Sequence, residues 1–343
     1  MRSMLHARTR FASGIVFACL FLTHRHMLAF EVQGHGPYRV QALKTLRCRF
    51  QVRALAFSPD GKILAAGGCG YVLWDNPTKM VRFFDVATGC QISGVPAPDG
   101  VWSLTFSPRG DTIAVQEAFR GIKLWNVQGR ELVAKQTLGD DGQTGVVFSP
   151  DGTFLVTNRG KTDIEVRSGQ TLALARTVSS HQLSVTCLAF NPAGTILASG
   201  GWDGTINLWE VPSFEKLATL KGHKAPVPAL AFCRDGTTLA SGGVDKTVRL
   251  WNIIERRVTA VLRGHKGAVW AVDFGGKRAL LASASEDATV RLWDVRAQQE
   301  VKVLKSHTDI VFSARFAPDG VTLATGSTDG TVRLWKVLPA LKK

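Results

Sequence analysis

Four sets of side chains in this sequence have the residue types of a nucleophilic triad. Each set combines a histidine, a serine or threonine and an aspartate, and a tryptophan follows at the same distance every time. Nucleophilic catalysis needs one exposed hydroxyl with its base and carboxylate at a single cleft. Because the pattern occurs four times at identical spacing, it indicates a structural role in a repeated unit. The sets are His181, Ser199, Asp203 and Trp209; His223, Ser241, Asp245 and Trp251; His265, Ser283, Asp287 and Trp293; and His307, Thr325, Asp329 and Trp335.

The tryptophans of these sets belong to a longer repeat. The equivalent positions in chain order are Phe84, Trp125, Arg167, Trp209, Trp251, Trp293 and Trp335. They are separated by 41 residues once and then by 42 residues five times. A period of about 40–45 residues is typical of an array whose units bury their apolar faces against one another. The sequence therefore predicts seven copies of one structural unit.

Each copy contains the signals of short strands. Turns such as Ser58-Pro59-Asp60-Gly61 and Ala317-Pro318-Asp319-Gly320 join a first apolar run to a second. Proline there fixes φ near −65° and glycine occupies the fourth position, as a type I turn prefers. A third run alternates, as in residues 248–251, and a fourth lies between copies, as in residues 216–220. Four strands repeated seven times predict an all-β, seven-bladed β-propeller of antiparallel blades.

The fourth to seventh copies resemble WD repeats. They carry Ser180-His181, Gly222-His223, Gly264-His265 and Ser306-His307 near their starts, and tryptophan at their ends. The resemblance covers about residues 41–338, and the Phe-Ser-Pro-Asp-Gly turn is similar to that of bacterial WD-repeat proteins. It implies that the indole donates to the hydroxyl, the hydroxyl to the imidazole and the imidazole to the carboxylate. Such a chain satisfies polar groups that would each cost about 1–3 kcal/mol if buried unpaired.

The first three copies depart from this pattern. Cys48, Ala97 and Gly139 stand where histidine is expected, and Phe84 and Arg167 replace tryptophan. We therefore expect these three blades to be less stable and less regular than the other four.

The ring is expected to close through its ends. Residues 41–46 precede the first copy and resemble the fourth strand of the others, whereas nothing comparable follows Trp335. We predict that this segment completes the last blade, which would leave no long free sheet edge.

The spacing of the histidines and cysteines does not indicate a metal or cofactor site. The histidines outside the four sets are His6, His24, His26 and His35, and the six cysteines form no Cys-x-x-Cys pair for zinc. Several cysteines occupy apolar strand positions, which predicts buried reduced thiols. We expect no metal, no cofactor and no small-molecule substrate.

The chain carries a formal net charge of +15. Residues 1–49 contain eight Arg or Lys and one Glu, and many of the remaining cations lie in strand positions repeated from blade to blade, including Arg249, Arg291 and Arg333. Charge spread in this way favours a solvated surface over a specific nucleic-acid groove. An acidic partner surface, including nonspecific nucleic acid at low salt, remains an alternative.

The N-terminal residues form a separate segment. We divide the chain into an extension, residues 1–33, and a propeller, residues 34–343. Arginines precede an apolar run over residues 11–22, which has the order and length of a signal-peptide core, but no clear cleavage site follows. We expect a cytoplasmic protein; export or membrane tethering through residues 1–30 and a translation start at Met27 are the alternatives.

The resemblance also implies where a partner would bind. In WD-repeat proteins, partners most often contact the face built from the loops that enter the first strand and join the second to the third. Aromatic side chains at such positions are typical binding anchors, but they can also pack at the rim of the core. A long loop between Gly67 and Phe83 is a second possible recognition element. The candidate contact residues are Arg53, Trp102, Trp202, Trp270, Ile310 and Phe312.

These observations favour a noncatalytic, monomeric scaffold that binds a protein or peptide through one face of the propeller. The alternatives are an enzyme with a site in the central channel and a binder of nucleic acid or acidic surfaces. An enzyme would need converging polar side chains outside the repeat pattern, and a nucleic-acid binder would show cations clustered on one face and a steep salt dependence.

Overall fold

Seven sheets of four antiparallel strands make up the part of the chain that the structure describes. The structure is a computed structural model and describes residues 38–70, 81–118, 121–127, 132–136, 145–159, 162–276 and 280–340. Within these ranges every regular element is a strand. The predicted all-β propeller of seven four-stranded blades is confirmed.

The strands follow one another along the chain with short turns. They are β1 (Tyr38–Arg47), β2 (Gln51–Phe57), β3 (Ile63–Cys69), β4 (Val81–Asp85), β5 (Gln91–Val95), β6 (Val101–Phe106), β7 (Thr112–Glu117), β8 (Gly121–Asn126), β9 (Leu132–Gln136), β10 (Val146–Phe148), β11 (Phe154–Arg159), β12 (Asp163–Ser168), β13 (Leu174–Ser179), β14 (Val185–Phe190), β15 (Ile196–Gly201), β16 (Thr205–Glu210), β17 (Lys216–Lys221), β18 (Ala229–Phe232), β19 (Thr238–Gly242), β20 (Val248–Asn252), β21 (Arg257–Leu262), β22 (Val269–Gly275), β23 (Leu280–Ser285), β24 (Val290–Asp294), β25 (Gln299–Leu304), β26 (Val311–Phe316), β27 (Thr322–Ser327) and β28 (Thr331–Pro339).

Six blades use four consecutive strands. Blade 1 is β2–β5, blade 2 is β6–β9, blade 3 is β10–β13, blade 4 is β14–β17, blade 5 is β18–β21 and blade 6 is β22–β25. Blade 7 combines β26–β28 with β1 from the start of the described chain. The first strand of each blade lies innermost and the fourth lies outermost.

The ring closes as the sequence predicts. β1 pairs antiparallel with β28, from Tyr38 opposite Pro339 to Arg47 opposite Thr331. Val40 and Leu46 of β1 are buried, and β2 of blade 1 contacts β26 of blade 7. The two ends of the propeller are therefore held in one sheet.

The predicted turns between the first and second strands are present. In blade 1 the Gly61 amide donates to the Ser58 carbonyl at 2.8 Å, and in blade 7 the Gly320 amide donates to the Ala317 carbonyl at 2.8 Å. The φ of Gly61 is 72°, a conformation that costs other residues energy. This turn chemistry fixes the register of each inner hairpin.

Adjacent blades approach closely because small residues line the second strands. A Cβ built on Gly67 of β3 would lie 2.8 Å from Val101 Cγ1 of blade 2. At the closure, a Cβ on Gly326 of β27 would lie 2.5 Å from Val52 Cγ1 of blade 1. The same packing device is therefore used inside the ring and at the junction of its ends.

Several sequence-based expectations fall outside the described residues. They concern the extension over residues 1–33 with its apolar run and three histidines, His35, Cys19, residues 71–80 of the long loop, and Gly139.

Candidate functional site

Each of the four recurring sets forms one chain of hydrogen bonds within its blade. In blade 6, Trp293 Nε1 donates to Ser283 Oγ at 2.8 Å, and Ser283 Oγ lies 2.7 Å from His265 Nε2. His265 Nδ1 lies 3.0 Å from Asp287 Oδ2. Since the hydroxyl accepts from the indole, it donates to Nε2, and Nδ1–H donates to the carboxylate.

The other three sets have the same geometry. The indole-to-hydroxyl distances are 3.0 Å for Trp209 to Ser199, 2.8 Å for Trp251 to Ser241 and 3.1 Å for Trp335 to Thr325. The imidazole Nε2 of His181, His223 and His307 lies 2.9, 2.7 and 2.8 Å from those hydroxyls. The Nδ1 atoms of the same histidines lie 3.2, 3.0 and 2.8 Å from Asp203, Asp245 and Asp329.

Burial decides what these sets do. The hydroxyl residues Ser199, Ser241, Ser283 and Thr325 are completely buried. Each hydroxyl already accepts one hydrogen bond and donates another, so it cannot reach a substrate. The four sets therefore stabilise blades 4 to 7 and are not nucleophilic sites.

The aspartates of these sets also hold the loops at one face of the ring. Asp287 accepts from the Lys266 amide at 2.8 Å and from Thr289 Oγ1 at 2.6 Å. Lys266 lies in the loop that enters β22, and Thr289 lies in the turn between β23 and β24. The carboxylate thus joins the two loops that the resemblance implies for partner binding.

Blades 1 and 2 fill the same space differently. In blade 1 the equivalent positions are held by Cys48, Ala66 and Phe84, all of which are buried. In blade 2, Val115 replaces the hydroxyl residue, and Trp125 Nε1 is buried without an acceptor among the described residues. A Lys123–Glu117 ion pair at 2.6 Å lies on the neighbouring strands.

Blade 3 contains a buried ion pair where tryptophan is expected. Arg167 Nε donates to Glu165 Oε2 at 2.8 Å, and Arg167 Nη1 donates to the Leu172 carbonyl at 2.8 Å. Arg167 is 5% exposed and Glu165 is 1% exposed. The sequence alone identified the replacement of tryptophan by Arg167 but not its carboxylate partner.

The buried histidines give the protein a pH-dependent stability. Burial lowers the pKa of His181 and His223, although Asp203 and Asp245 oppose that effect. The unfolded chain binds more protons than the folded chain between these lowered values and the ordinary histidine pKa of about 6.5. The stabilisation is therefore complete above about pH 6.5 and decreases as the pH falls below it.

We expect the unfolding temperature, measured by calorimetry, to be level between about pH 8 and pH 7 and to decrease from about pH 6.5 towards pH 5. The variant His223→Gln lacks one of these titrating groups and should show a shallower decrease. Equal slopes in the wild type and in His223→Gln would contradict this assignment.

A cavity of about 810 Å³ lies on the axis of the ring. Residues from the first strands of all seven blades line it. One end is bordered by the hairpin prolines Pro59, Pro108, Pro150 and Pro318. The opposite end, which we call the channel mouth, is formed by the residues at the beginnings of the first strands together with Trp202.

β-Bulges present the side chains of the channel mouth. The pairing of the first and second strands shifts by one residue in blades 1, 2, 4, 6 and 7. Such a bulge re-aims a side chain while the rest of the strand keeps its register. The extra residues that these bulges insert into the first strands are Arg53, Trp102, Thr186, Trp270 and Phe312.

Four of these residues form one stack across blades 6, 7, 1 and 2. The Arg53 guanidinium lies 4.4 Å from the centroid of the Trp102 ring and 4.9 Å from that of Phe312. The Phe312 and Trp270 ring centroids are 5.3 Å apart. We call these four residues the aromatic–arginine cluster. Trp270 and Phe312 belong to neighbouring blades, so the alternative of rings that pack between blades at the rim of the core describes this pair. Arg53 lies between Trp102 and Phe312.

Two donors of this cluster lack an acceptor in the part of the chain that the structure describes. Arg53 Nε and Trp270 Nε1 are both buried, and neither has a hydrogen-bond partner among the described residues. Trp102 is 37% exposed, so the outer face of the cluster remains open. The cluster thus combines apolar ring surface with unsatisfied donors.

The remaining two candidate residues differ from each other. Trp202, in the turn between β15 and β16, borders the channel mouth and is 54% exposed. Ile310 is half-buried in the loop before β26 and is not part of the channel wall. The structure therefore brings Trp202 to the mouth and leaves Ile310 beside it.

Charged residues inside the channel were not among the candidates from the sequence. Asp273 and Arg315 directly precede the last phenylalanine of β22 and β26, and Arg315 Nη1 lies 4.0 Å from Asp273 Oδ1. Arg234 borders the other end and donates to the Pro318 carbonyl at 2.8 Å. Burial raises the pKa of Asp273, against the opposing effect of Arg315. A signal was present in the sequence, because the equivalent positions elsewhere are Ala56, Thr105, Val147, Ala189 and Ala231.

The described residues contain no group of three or more His, Cys, Asp or Glu that could hold a metal ion. Their five cysteines are free: Cys48 and Cys233 are buried, Cys69 and Cys187 are half-buried, and Cys90 is exposed. The expectation of buried thiols is therefore wrong for Cys90. Burial raises the pKa of Cys48 and of Cys187 to about 12, which keeps both thiols protonated.

No helix capable of crossing a membrane is present in the described part of the chain.

A comparison with protein-family models matches the WD domain, G-beta repeat, at five places. The matched residues are 40–75, 173–210, 214–252, 256–294 and 298–336, which together exceed half of the chain. The chain belongs to the WD40 family. A search of the curated proteins finds no match to this sequence.

The WD40 repeats are offset from the blades. The match over residues 214–252 begins with β17, the outermost strand of blade 4, and ends with β20, the third strand of blade 5. Each such WD40 repeat therefore spans two neighbouring blades. The unmatched residues 76–172 include all of blade 2 and most of blade 3, where the hydrogen-bonded sets are replaced by ion pairs.

Proposed function

We propose that this WD40 protein is a noncatalytic scaffold that binds a protein or peptide through the channel mouth. The observation that carries the proposal is the aromatic–arginine cluster, in which Arg53 lies between Trp102 and Phe312. Tryptophan and arginine are enriched among the residues that contribute most to binding energy. WD40 propellers commonly serve as protein-interaction scaffolds.

The rigidity of the mouth supports the same role. The aspartates of blades 6 and 7 accept from backbone amides in the loops that precede Trp270 and Phe312, so this half of the cluster would require little ordering on binding. Preorganised surfaces lose less entropy on association. Exposed Trp202 adds a further aromatic contact on the far side of the mouth from the cluster.

The test is affinity capture with the full-length chain, followed by identification of the retained proteins by mass spectrometry. A triple variant, Trp102→Ala, Trp270→Ala and Phe312→Ala, should lose the specific partner. The matched control, Ile92→Ala, Leu217→Ala and Ile254→Ala, removes three apolar side chains that are exposed away from the mouth and should retain it.

Circular dichroism establishes that both triple variants are folded. Recovery of the same proteins by the wild type and by the folded mouth variant would contradict the proposal. Loss of the partner from the control variant alone would place binding on another surface.

A further inference from the structure

We infer that the ligand of the channel mouth is an acidic peptide segment of a partner protein, in which a carboxylate lies next to an apolar side chain. This inference rests on the proposed function and names the chemistry of the partner. It follows from the charges of the channel, the unsatisfied donors at its mouth and the shape of the cavity.

The channel is positively charged. Among the described residues that line it, the charged side chains are Arg53, Arg234, Arg315 and Asp273, which gives three cations and one carboxylate. These cations lie at the mouth, in the wall and at the opposite end. A cleft of one sign with low-dielectric walls focuses the field and attracts a ligand of the opposite sign.

The single carboxylate forms an ion pair with the nearest cation but no hydrogen bond to it. Arg315 and Asp273 are 4.0 Å apart, which is too long for a hydrogen bond, and the Arg315 side chain is 45% exposed. Asp273 instead accepts from the Phe316 amide at 2.6 Å. The Arg315 guanidinium can therefore bind a carboxylate that enters the channel.

The donors at the mouth specify acceptor atoms. Arginine and the tryptophan indole donate hydrogen bonds but cannot accept them. Arg53 Nε and Trp270 Nε1 are buried without acceptors among the described residues, so a ligand oxygen that reached either atom would satisfy its hydrogen bond. A peptide supplies a side-chain carboxylate and backbone carbonyls from adjacent residues.

The aromatic rings of the cluster favour an apolar side chain in the ligand. Trp102 and Phe312 flank the Arg53 guanidinium, and Trp270 packs against Phe312. This apolar surface favours an aromatic or aliphatic side chain beside the carboxylate. The cavity of about 810 Å³ is within the size range of small-ligand sites and accommodates a short segment. Further along β26, Arg315 is three residues after Phe312, which is about 10 Å at the rise of a strand.

The experiment is selection of a random heptapeptide library against the full-length protein. The best peptide is then synthesised with a fluorescent label, and its affinity is measured by fluorescence anisotropy at low and at physiological ionic strength. We expect the selected peptides to contain Asp or Glu adjacent to an apolar residue. Their affinity should decrease with salt, as expected for a charged contact.

Three channel variants and one control test the assignment of the charges. Arg53→Gln and Arg315→Gln should each lower the affinity for the peptide by about tenfold or more, because each removes a charge-assisted hydrogen bond. Asp273→Asn should strengthen binding. Arg257→Gln, on the outer surface, should leave the affinity unchanged.

The outcomes separate the two proposals. Selected peptides without carboxylates, or equal affinities for the wild type, Arg53→Gln and Arg315→Gln, would overturn the acidic-peptide inference. If such peptides still require Trp102, Trp270 and Phe312, the proposed function stands. A library that yields no peptide above background would overturn the acidic-peptide inference, and the affinity capture then decides the proposed function by itself.

Discussion

A chain that begins at Phe50 will unfold at a lower temperature and over a broader range than a chain that begins at Tyr38. The shorter chain lacks β1, which pairs along the whole length of β28 and buries Val40 and Leu46. Burial of each such side chain contributes about 1.5–3 kcal/mol, and the exposed edge of β28 loses its hydrogen-bonding partner. The loss also leaves blade 7 as a three-stranded sheet next to blade 1.

The comparison with the chain from Tyr38 is the control, because both chains lack the residues before β1. Calorimetry gives the temperature and width of each transition. Superimposable transitions for the two chains would show that β1 does not hold the ring together. We also expect the chain from Phe50 to associate in size-exclusion chromatography, since its free edge can pair with another molecule.

Replacement of Arg167 by methionine will destabilise the protein strongly, by about 3–5 kcal/mol, because it removes the cation that pairs with the buried Glu165 carboxylate. Arg167 donates to Glu165 and to the Leu172 carbonyl, and both members of the pair are almost fully buried. Urea denaturation of the wild type and the variant measures the effect. The variant Glu165→Leu, Arg167→Met should recover much of the loss, because an apolar pair replaces a buried charged pair at little cost.

The Arg257–Glu255 pair provides a matched control. Its atoms are 2.6 Å apart, but its side chains are 63% and 48% exposed. Arg257→Met should hardly shift the denaturation midpoint, since solvent screens an exposed ion pair. If Arg167→Met shifts the midpoint no more than Arg257→Met, the buried pair is not a major source of stability in blade 3.

Most of the architecture could be predicted because the same sequence signals recur in several repeats, so an atypical residue in one repeat does not hide the pattern. The 42-residue step, the Pro and Gly turns and the extra N-terminal strand determine the number of blades and the closure. The resemblance implied the order of the hydrogen bonds in sets such as His265, Ser283, Asp287 and Trp293, and the structure supplies their distances. Because the set occurs four times at identical spacing, its structural role could be predicted from the sequence.

The unrepeated features were harder to predict. Glu165 becomes the partner of Arg167 because both point into one buried space, and their separation of two residues in a strand was not itself a signal. The bulges that aim Trp102 and Trp270 at the mouth insert one residue into a strand without changing the repeat length. Asp273 and Arg315 act together only because the ring places blades 6 and 7 side by side. Each of these features depends on a neighbour that the linear pattern does not specify.

The aromatic–arginine cluster spans the junction where the first and last repeats meet. Phe312 belongs to blade 7, whereas Arg53 and Trp102 belong to blades 1 and 2. One part of the cluster is therefore synthesised early in translation and the other part late. A nascent chain still attached to the ribosome has Arg53 and Trp102 but not yet the ring that stacks Arg53 on Phe312. Under the proposed function, a chain that terminates before Phe312 therefore carries only part of the binding surface.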